Sequence, residues 1–186
     1  PGILPVLGVV LTYVLAHNIL YTYIAPFLGQ AGLIERTDTV LLVFGLASLV
    51  SIWAVGVLID ARLRALTLVS IILFGAAAVI LWLWVAVPEA IYAASALWGL
   101  AFGGSATLFQ TASARAAGPA ADLAQSMLVT MWNTAIAGGG LVGGLLLERF
   151  GVQSFAPALL VLLALAFVVT LGARRHGFPV ASALTA

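Results

Sequence analysis

Apolar residues are grouped along this chain into six long runs, and short polar segments separate one run from the next. The runs occupy roughly residues 3–28, 38–59, 65–86, 90–116, 122–147 and 154–172. Each is close to or above the ~20 residues that an α-helix needs to cross the hydrocarbon core of a bilayer. The strict alternation of apolar and polar residues that is typical of membrane β-barrels is absent. The pattern therefore predicts an all-α polytopic membrane protein with six transmembrane helices.

The second and fifth predicted helices end in similar short segments. Gly56 is followed by Val-Leu-Ile-Asp-Ala-Arg, and Gly144 is followed by Leu-Leu-Leu-Glu-Arg. The two helices hold the same position in successive three-helix units but would cross the membrane in opposite directions. Inverted repeats of this kind are common in secondary transporters. We therefore expect two inverted three-helix repeats in one bundle, residues 1–175, followed by a short cytoplasmic tail, residues 176–186.

Composition narrows the range of functions. Of the 186 residues, 64% are hydrophobic and 7% are charged, whereas soluble domains carry about 25% charged residues. The net charge of +1 is too small and too scattered to indicate a nucleic-acid partner. There is no cysteine, no phosphate-binding glycine loop, no carboxylate pair and no cluster with metal-ligand spacing. We therefore expect neither an enzyme nor a bound metal or cofactor.

Arginine is distributed unequally between the two predicted sides of the membrane. One side carries Arg62, Arg64, Arg115, Arg174 and Arg175, and the other side carries the remaining two arginines together with four acidic residues. Cytoplasmic loops are enriched in basic residues, so the five-arginine side, which includes both termini, is predicted to be cytoplasmic. The first residue is proline and not methionine, from which we expect a fragment or a processed product.

The first predicted helix carries an unusual polar face. Tyr13, His17 and Tyr21 follow one another at i, i+4 spacing, and Asn18 lies on the adjacent ridge. Polar groups at this depth usually face a bundle interior or a water-filled cavity. Two interpretations of His17 are open: it binds or titrates with a transported solute, or it is a neutral side chain that bonds to a neighbouring helix.

Helices 4 and 5 carry further polar and small residues. Gln110 could bind a ligand or form an interhelical hydrogen bond, and Asn133 lies on a weakly polar face of helix 5. The aromatic residues Trp98 and Phe102 are interpreted as packing or lipid contacts. Two GxxxG spacings on helix 5 predict close helix packing through four glycines: Gly139, Gly140, Gly143 and Gly144.

The turn after helix 2 raises an electrostatic question. Asp60 lies at a helix C-terminus, where the helix dipole disfavours a negative charge. We therefore expect a cationic or helix-N-terminal partner, and Arg62 and Arg64 are the nearby candidates. The alternative is a solvated turn without a role.

Four segments together resemble the C-terminal half of major facilitator superfamily transporters, in the drug/proton antiporter subgroup that includes sugar-efflux permeases. They are HNILYTYIAPFL, GVLIDARLRAL, ALWGLAFGGSATLFQTASARAAG and MWNTAIAGGGLVGGLLLERFG. The resemblance implies a missing N-terminal six-helix half. It also implies a substrate cavity formed by His17, Asn18, Tyr21, Gln110 and Asn133. A cytoplasmic gate loop is implied as well, formed by Asp60, Arg62 and Arg64.

The function expected from these features is efflux of a small organic solute, such as a drug or sugar, across a bacterial inner membrane by alternating access. Proton exchange is implied by the resemblance alone. The alternative is a six-helix membrane scaffold or assembly subunit without transport activity. Under that alternative, the polar face of helix 1 would be an interface with another helix or with a partner.

Overall fold

A computed structural model of the chain describes residues 2–174 and 176–178, and this part is all-helical, without strands. The tail prediction therefore falls largely on residues outside it. Four short 3₁₀ turns join the longer elements, at Gly29–Ala31, Ile34–Arg36, Gly118–Ala120 and Val152–Ser154. The α-helices are α1 (Ile3–Thr22), α2 (Ile24–Leu28), α3 (Thr37–Leu83), α4 (Pro88–Phe102), α5 (Ser105–Ala117), α6 (Ala121–Phe150) and α7 (Phe155–Gly172).

Four helical segments of the described chain are long and apolar enough to cross a membrane. They are Ile3–Thr22, Ile34–Leu83, Pro88–Phe150 and Val152–Gly172. The second and third contain 50 and 63 residues. As straight helices they would measure about 75 Å and 95 Å, more than twice the ~30 Å of a hydrocarbon core. Neither segment can therefore cross a bilayer once as a straight rod.

Helix α3 is bent sharply at Arg62, where φ is −132° and ψ is 23°. Ser51 and Ser70, from opposite sides of the bend, line the same cavity of about 170 Å³. A straight helix would separate these two residues by about 28 Å. The helix therefore consists of a first arm, residues 37–61, and a second arm, residues 63–83, folded back against each other. The bend falls within the turn that the sequence predicts at residues 60–64.

The predicted helix over residues 90–116 is interrupted, which the apolar pattern does not show. Helix α4 ends at Phe102 and α5 begins at Ser105. The two glycines between them lie tightly against the first arm of α3: a Cβ on Gly103 would overlap the Ser48 backbone, and one on Gly104 would overlap the Val55 side chain. The break therefore coincides with a close approach of two helices that only glycine permits.

Side chains replace part of the helical hydrogen bonding at this break. The Gly104 N–H donates to Ser51 Oγ over 3.1 Å. The Ala101 carbonyl accepts from Tyr13 Oη at 2.9 Å and from Ser70 Oγ at 2.8 Å, and the two hydroxyl oxygens are 2.7 Å apart. Helix ends leave backbone groups without intrahelical partners, and in a membrane interior these groups need partners from neighbouring helices.

Helix α1 packs against α5, α6 and α7. Its side chains are buried almost all around, with Val6, Val10 and Tyr13 at 0% exposure. The outer surface, by contrast, is strongly apolar: Trp53, Leu141 and Val168 are 72%, 67% and 64% exposed. A soluble protein rarely exposes so much apolar surface, whereas a bilayer accommodates it.

Candidate solute-binding site

His17 lies inside an aromatic cluster built by α1, the first arm of α3 and α4. We define the aromatic cluster as His17, Tyr21, Phe44, Trp98 and Phe102. The imidazole stacks on Phe102 with ring centroids 3.4 Å apart and an interplanar angle of 5°. Tyr21 also stacks on the imidazole, with ring centroids 5.3 Å apart, and the Trp98 and Phe44 rings are 5.2 Å and 5.9 Å away. His17 is 7% exposed, whereas Tyr21 is 46% exposed at the edge of the cluster.

One hydrogen bond fixes the orientation of the imidazole. Trp98 Nε1 donates to His17 Nδ1 over 3.1 Å, and both side chains are buried. Indole nitrogen can only donate, so His17 Nδ1 must be the acceptor. In this arrangement the imidazole is neutral and carries its proton on Nε2.

Gln110 and Asn133 share a groove between α5 and α6. The groove has a volume of about 200 Å³ and is completed by Ala106, Leu128, Val129 and Trp132. Both amide side chains are exposed. Drug-sized ligands usually occupy about 300–1,000 Å³. The groove is therefore large enough for part of a small organic molecule.

Trp132 connects the groove to the aromatic cluster. Its ring centroid is 6.1 Å from that of Phe102, which in turn stacks on His17. An aromatic surface thus continues from the amides of Gln110 and Asn133 to His17. It offers apolar faces for stacking and a few convergent polar groups, the usual combination in small-molecule sites.

Asn18 lies outside both the groove of Gln110 and Asn133 and the aromatic cluster of His17 and Tyr21. Its Nδ2 donates to the Val14 carbonyl of the same helix over 2.9 Å, and its side chain is pressed against Gly139 of α6. His17 and Asn18 are about 100° apart around α1, so neighbouring residues face different helices. The amide therefore lies at the contact between α1 and α6, away from the groove.

The sequence interpretation missed the aromatic partners of His17. It assigned Trp98 and Phe102 to packing or lipid contacts, yet both contact His17 directly. A signal for them was available. Trp98 and Phe102 are four residues apart and share one helix face, and an indole N–H inside a membrane needs an acceptor.

The four glycines of α6 have unequal surroundings. Gly139 faces the Asn18 backbone, and a Cβ on Gly143 would meet the Tyr23 ring at 2.7 Å. A Cβ on Gly144 would approach Tyr23 Oη, while one on Gly140 would meet nothing within 4 Å. Gly140 instead contributes its carbonyl, which accepts a hydrogen bond from Tyr23 Oη at 2.7 Å.

The cationic partner of Asp60 differs from the two nearby arginines, Arg62 and Arg64, that the sequence suggests. Asp60 pairs with Arg115 of α5, with Oδ1 and Nη2 3.1 Å apart. Arg64 is directed to the end of α7, where it donates to the carbonyls of Thr170, Leu171 and Phe178 at 2.7–3.1 Å. Arg62 is exposed at the bend. Asp60 therefore forms its salt bridge with a residue 55 positions away in sequence.

No protein-family profile matches the chain. It is similar to a protein of Mannheimia succiniciproducens described as a probable sugar efflux transporter, with 27% identity over 150 residues. The alignment covers 75% of this chain, and the chain spans 36% of the length of the curated relative it matches. Together with four segments apolar enough to span a membrane, this likeness supports a transporter role for a multi-pass membrane protein.

Proposed function

We propose that the chain is one half of a secondary transporter of the major facilitator superfamily, and that it helps to export a small organic solute by alternating access. Six membrane crossings would be formed by α1 with α2, the two arms of α3, α4 with α5, α6, and α7. The sharp bend at Arg62 supports the division of α3 into two crossings. The other half of the transporter would supply the opposite wall of the solute site.

The observation that carries this proposal is the pair of exposed amides beside an indole ring. Gln110 and Asn133 are both accessible in a bundle whose outer surface is otherwise strongly apolar. An amide facing lipid would lose its hydrogen bonds to water, which is costly. A groove that faces an aqueous solute path avoids this cost, because water or solute can bond to both amides.

The chemistry of the groove favours a neutral solute with several oxygen atoms, such as a sugar, over a cationic drug. The amides of Gln110 and Asn133 can donate and accept hydrogen bonds, and Trp132 offers a ring face to the apolar side of a sugar. No acidic residue lines the groove to attract a cation. The description of the relative as a probable sugar efflux transporter agrees with this choice.

Transport by the complete protein in proteoliposomes tests the proposal. The probes would be radiolabelled D-glucose, sucrose and tetraphenylphosphonium, each measured with and without an imposed pH gradient. The imposed gradient tests proton exchange in the proposed inner-membrane orientation. Replacing Gln110→Ala and Asn133→Ala together removes about two hydrogen bonds, so the KM for the transported sugar should rise about 10-fold or more. Thr134→Ala is the matched control, since Thr134 adjoins Asn133 but bonds within its own helix, to the Thr130 carbonyl.

An unchanged KM in the double variant would exclude the groove as the solute site. If the complete protein transported none of the three probes under either gradient, the alternative of a membrane scaffold without transport activity would be favoured instead.

A further inference from the structure

The hydrogen bond between Trp98 and His17 has a consequence for the other nitrogen of the imidazole. Nδ1 accepts from the indole, so the single proton of the neutral ring is on Nε2. Stacking on Phe102 at 3.4 Å and on Tyr21 at 5.3 Å holds the ring plane. Rotating the ring by 180° would place a carbon atom against the indole N–H and break the bond. The indole and the two stacked rings together therefore define where Nε2–H points.

The Nε2–H group has no hydrogen-bond partner among the described residues, although Nδ1 has one. It is also not sealed inside the protein. In the described part of the chain, two side-chain atoms are fully enclosed and have no hydrogen-bond partner, the Oγ atoms of Ser105 and Ser113. His17 Nε2 is not one of them, so it is not fully enclosed. His17 keeps 7% of its surface exposed, and Nε2 must lie on that exposed part. A donor inside the membrane that has no protein partner needs an acceptor from water or from a bound molecule.

We propose that Trp98 is a positioning residue that fixes the Nε2–H tautomer of His17, and that His17 thereby recognises an oxygen acceptor of the transported solute. This inference rests on the proposed transport function and adds a specificity determinant to it. The acceptor would be a hydroxyl, ether or carbonyl oxygen. A solute without such an atom, for example tetraphenylphosphonium, would gain nothing from His17.

Two substitutions of His17 separate recognition from packing. In His17→Gln, the amide nitrogen comes close to the Nε2 position and keeps a donor there, but the partner of Trp98 is lost. In His17→Asn, the shorter amide can still accept from Trp98, but the donor at the Nε2 position is lost. Recognition through Nε2–H predicts that Asn raises KM more than Gln does. A purely structural role for the bond to Trp98 predicts the reverse order.

The experiment measures transport of D-glucose and sucrose, and binding of tetraphenylphosphonium, by the complete protein carrying each variant. For the transported sugar, His17→Asn should raise KM about 10-fold with kcat changed less than 3-fold, and His17→Gln should raise it less than 3-fold. Trp98→Phe should raise KM by about 2- to 3-fold, as His17→Gln does, because both variants keep a donor at the Nε2 position and lose only the bond that holds it in place. Trp53→Phe is the matched control, since Trp53 is 72% exposed on the outer surface. Tetraphenylphosphonium binding should change less than 2-fold throughout.

The outcomes distinguish this inference from the proposed function. If the Gln110 and Asn133 variants raise KM but His17→Asn leaves it unchanged, the groove stands and the recognition by His17 is wrong. If His17→Gln is impaired as strongly as His17→Asn, or more strongly, the bond is structural and the inference is overturned. If tetraphenylphosphonium is transported but neither sugar is, export of a small organic solute stands and the inference is wrong. If none of the three probes is transported, the proposed function fails and the inference fails with it.

Discussion

Tyr13 and Ser70 form a redundant pair of donors at the break between α4 and α5, and this redundancy predicts a specific pattern of stability changes. Either hydroxyl can donate to the carbonyl of Ala101, and because the pair has two protons, two of the three close contacts are hydrogen bonds at any one time. In Tyr13→Phe, Ser70 can still satisfy the carbonyl. In Ser70→Ala, Tyr13 can do the same. Each single variant therefore loses about one net hydrogen bond, worth about 1 kcal/mol.

The double variant should behave differently from the sum of the singles. With both hydroxyls removed, the Ala101 carbonyl keeps neither donor at a position that is 1% exposed. An unsatisfied buried polar group adds about 1–3 kcal/mol to the loss. The double variant should therefore lose about 3–5 kcal/mol, of which about 1–3 kcal/mol is coupling between the two sites. Tyr13→Phe keeps the ring contacts with Phe74 and Phe109, so packing contributes little to the change.

Thermal unfolding of the purified complete protein in detergent measures this pattern. At about 2–4 °C per kcal/mol, each single variant should lower Tm by about 2–4 °C and the double variant by about 6–20 °C. Tyr92→Phe on α4 is the matched control, because the Tyr92 hydroxyl forms no hydrogen bond within the described residues. Strict additivity of the two single changes, or no change in Tyr13→Phe, would refute the reasoning.

Two further predictions concern helix packing and the charged end of the bundle. Gly139→Ala places a methyl group against the Asn18 backbone and should destabilise the protein by about 1–3 kcal/mol in a melting experiment. Gly140→Ala, whose methyl group would meet nothing within 4 Å, should be close to neutral, and equal effects of the two variants would contradict the packing described for α6. Arg64→Ala removes the charged donor to the last carbonyls of α7 and should lower Tm by several degrees. Arg64→Lys should recover less than half of the lost Tm, because an ammonium group lacks the fork of the guanidinium, and full recovery of Tm in Arg64→Lys would show that charge alone matters.

The helical class and the turn at residues 60–64 could be predicted from sequence because both depend on local composition. Runs of apolar residues with few charges define membrane helices, and a short charged segment such as Asp60 to Arg64 interrupts them. The break at Gly103 and Gly104 could not be predicted in this way. Glycine is common in continuous membrane helices, and the break depends on how closely the first arm of α3 approaches.

The candidate site was predictable only in part for a similar reason. Helical spacing correctly grouped His17 with Tyr21, which stack in the structure, because both lie on the same helix. Contacts between helices could not be predicted. The indole N–H of Trp98 indicates that an acceptor is needed, but not that the acceptor is His17. The sequence likewise does not show that Asn18 faces α6 or that Arg115 pairs with Asp60. Each of these contacts joins residues from different helices and depends on the rotation of both.

Cysteine accessibility tests most directly whether the groove between α5 and α6 faces an aqueous solute path, as the proposed transport function requires. The chain contains no cysteine, so each single substitution introduces the only thiol of this chain, and labelling of the unsubstituted complete protein gives the background. We predict that thiols introduced by Gln110→Cys and Asn133→Cys in the complete protein, reconstituted in proteoliposomes, react with a water-soluble, membrane-impermeant thiol reagent. The transported sugar should slow that reaction. Leu141→Cys, at a position that is 67% exposed on the outer apolar surface, should react at least 10-fold more slowly. Equal rates at all three positions, or rates at 110 and 133 that no sugar changes, would contradict the claim.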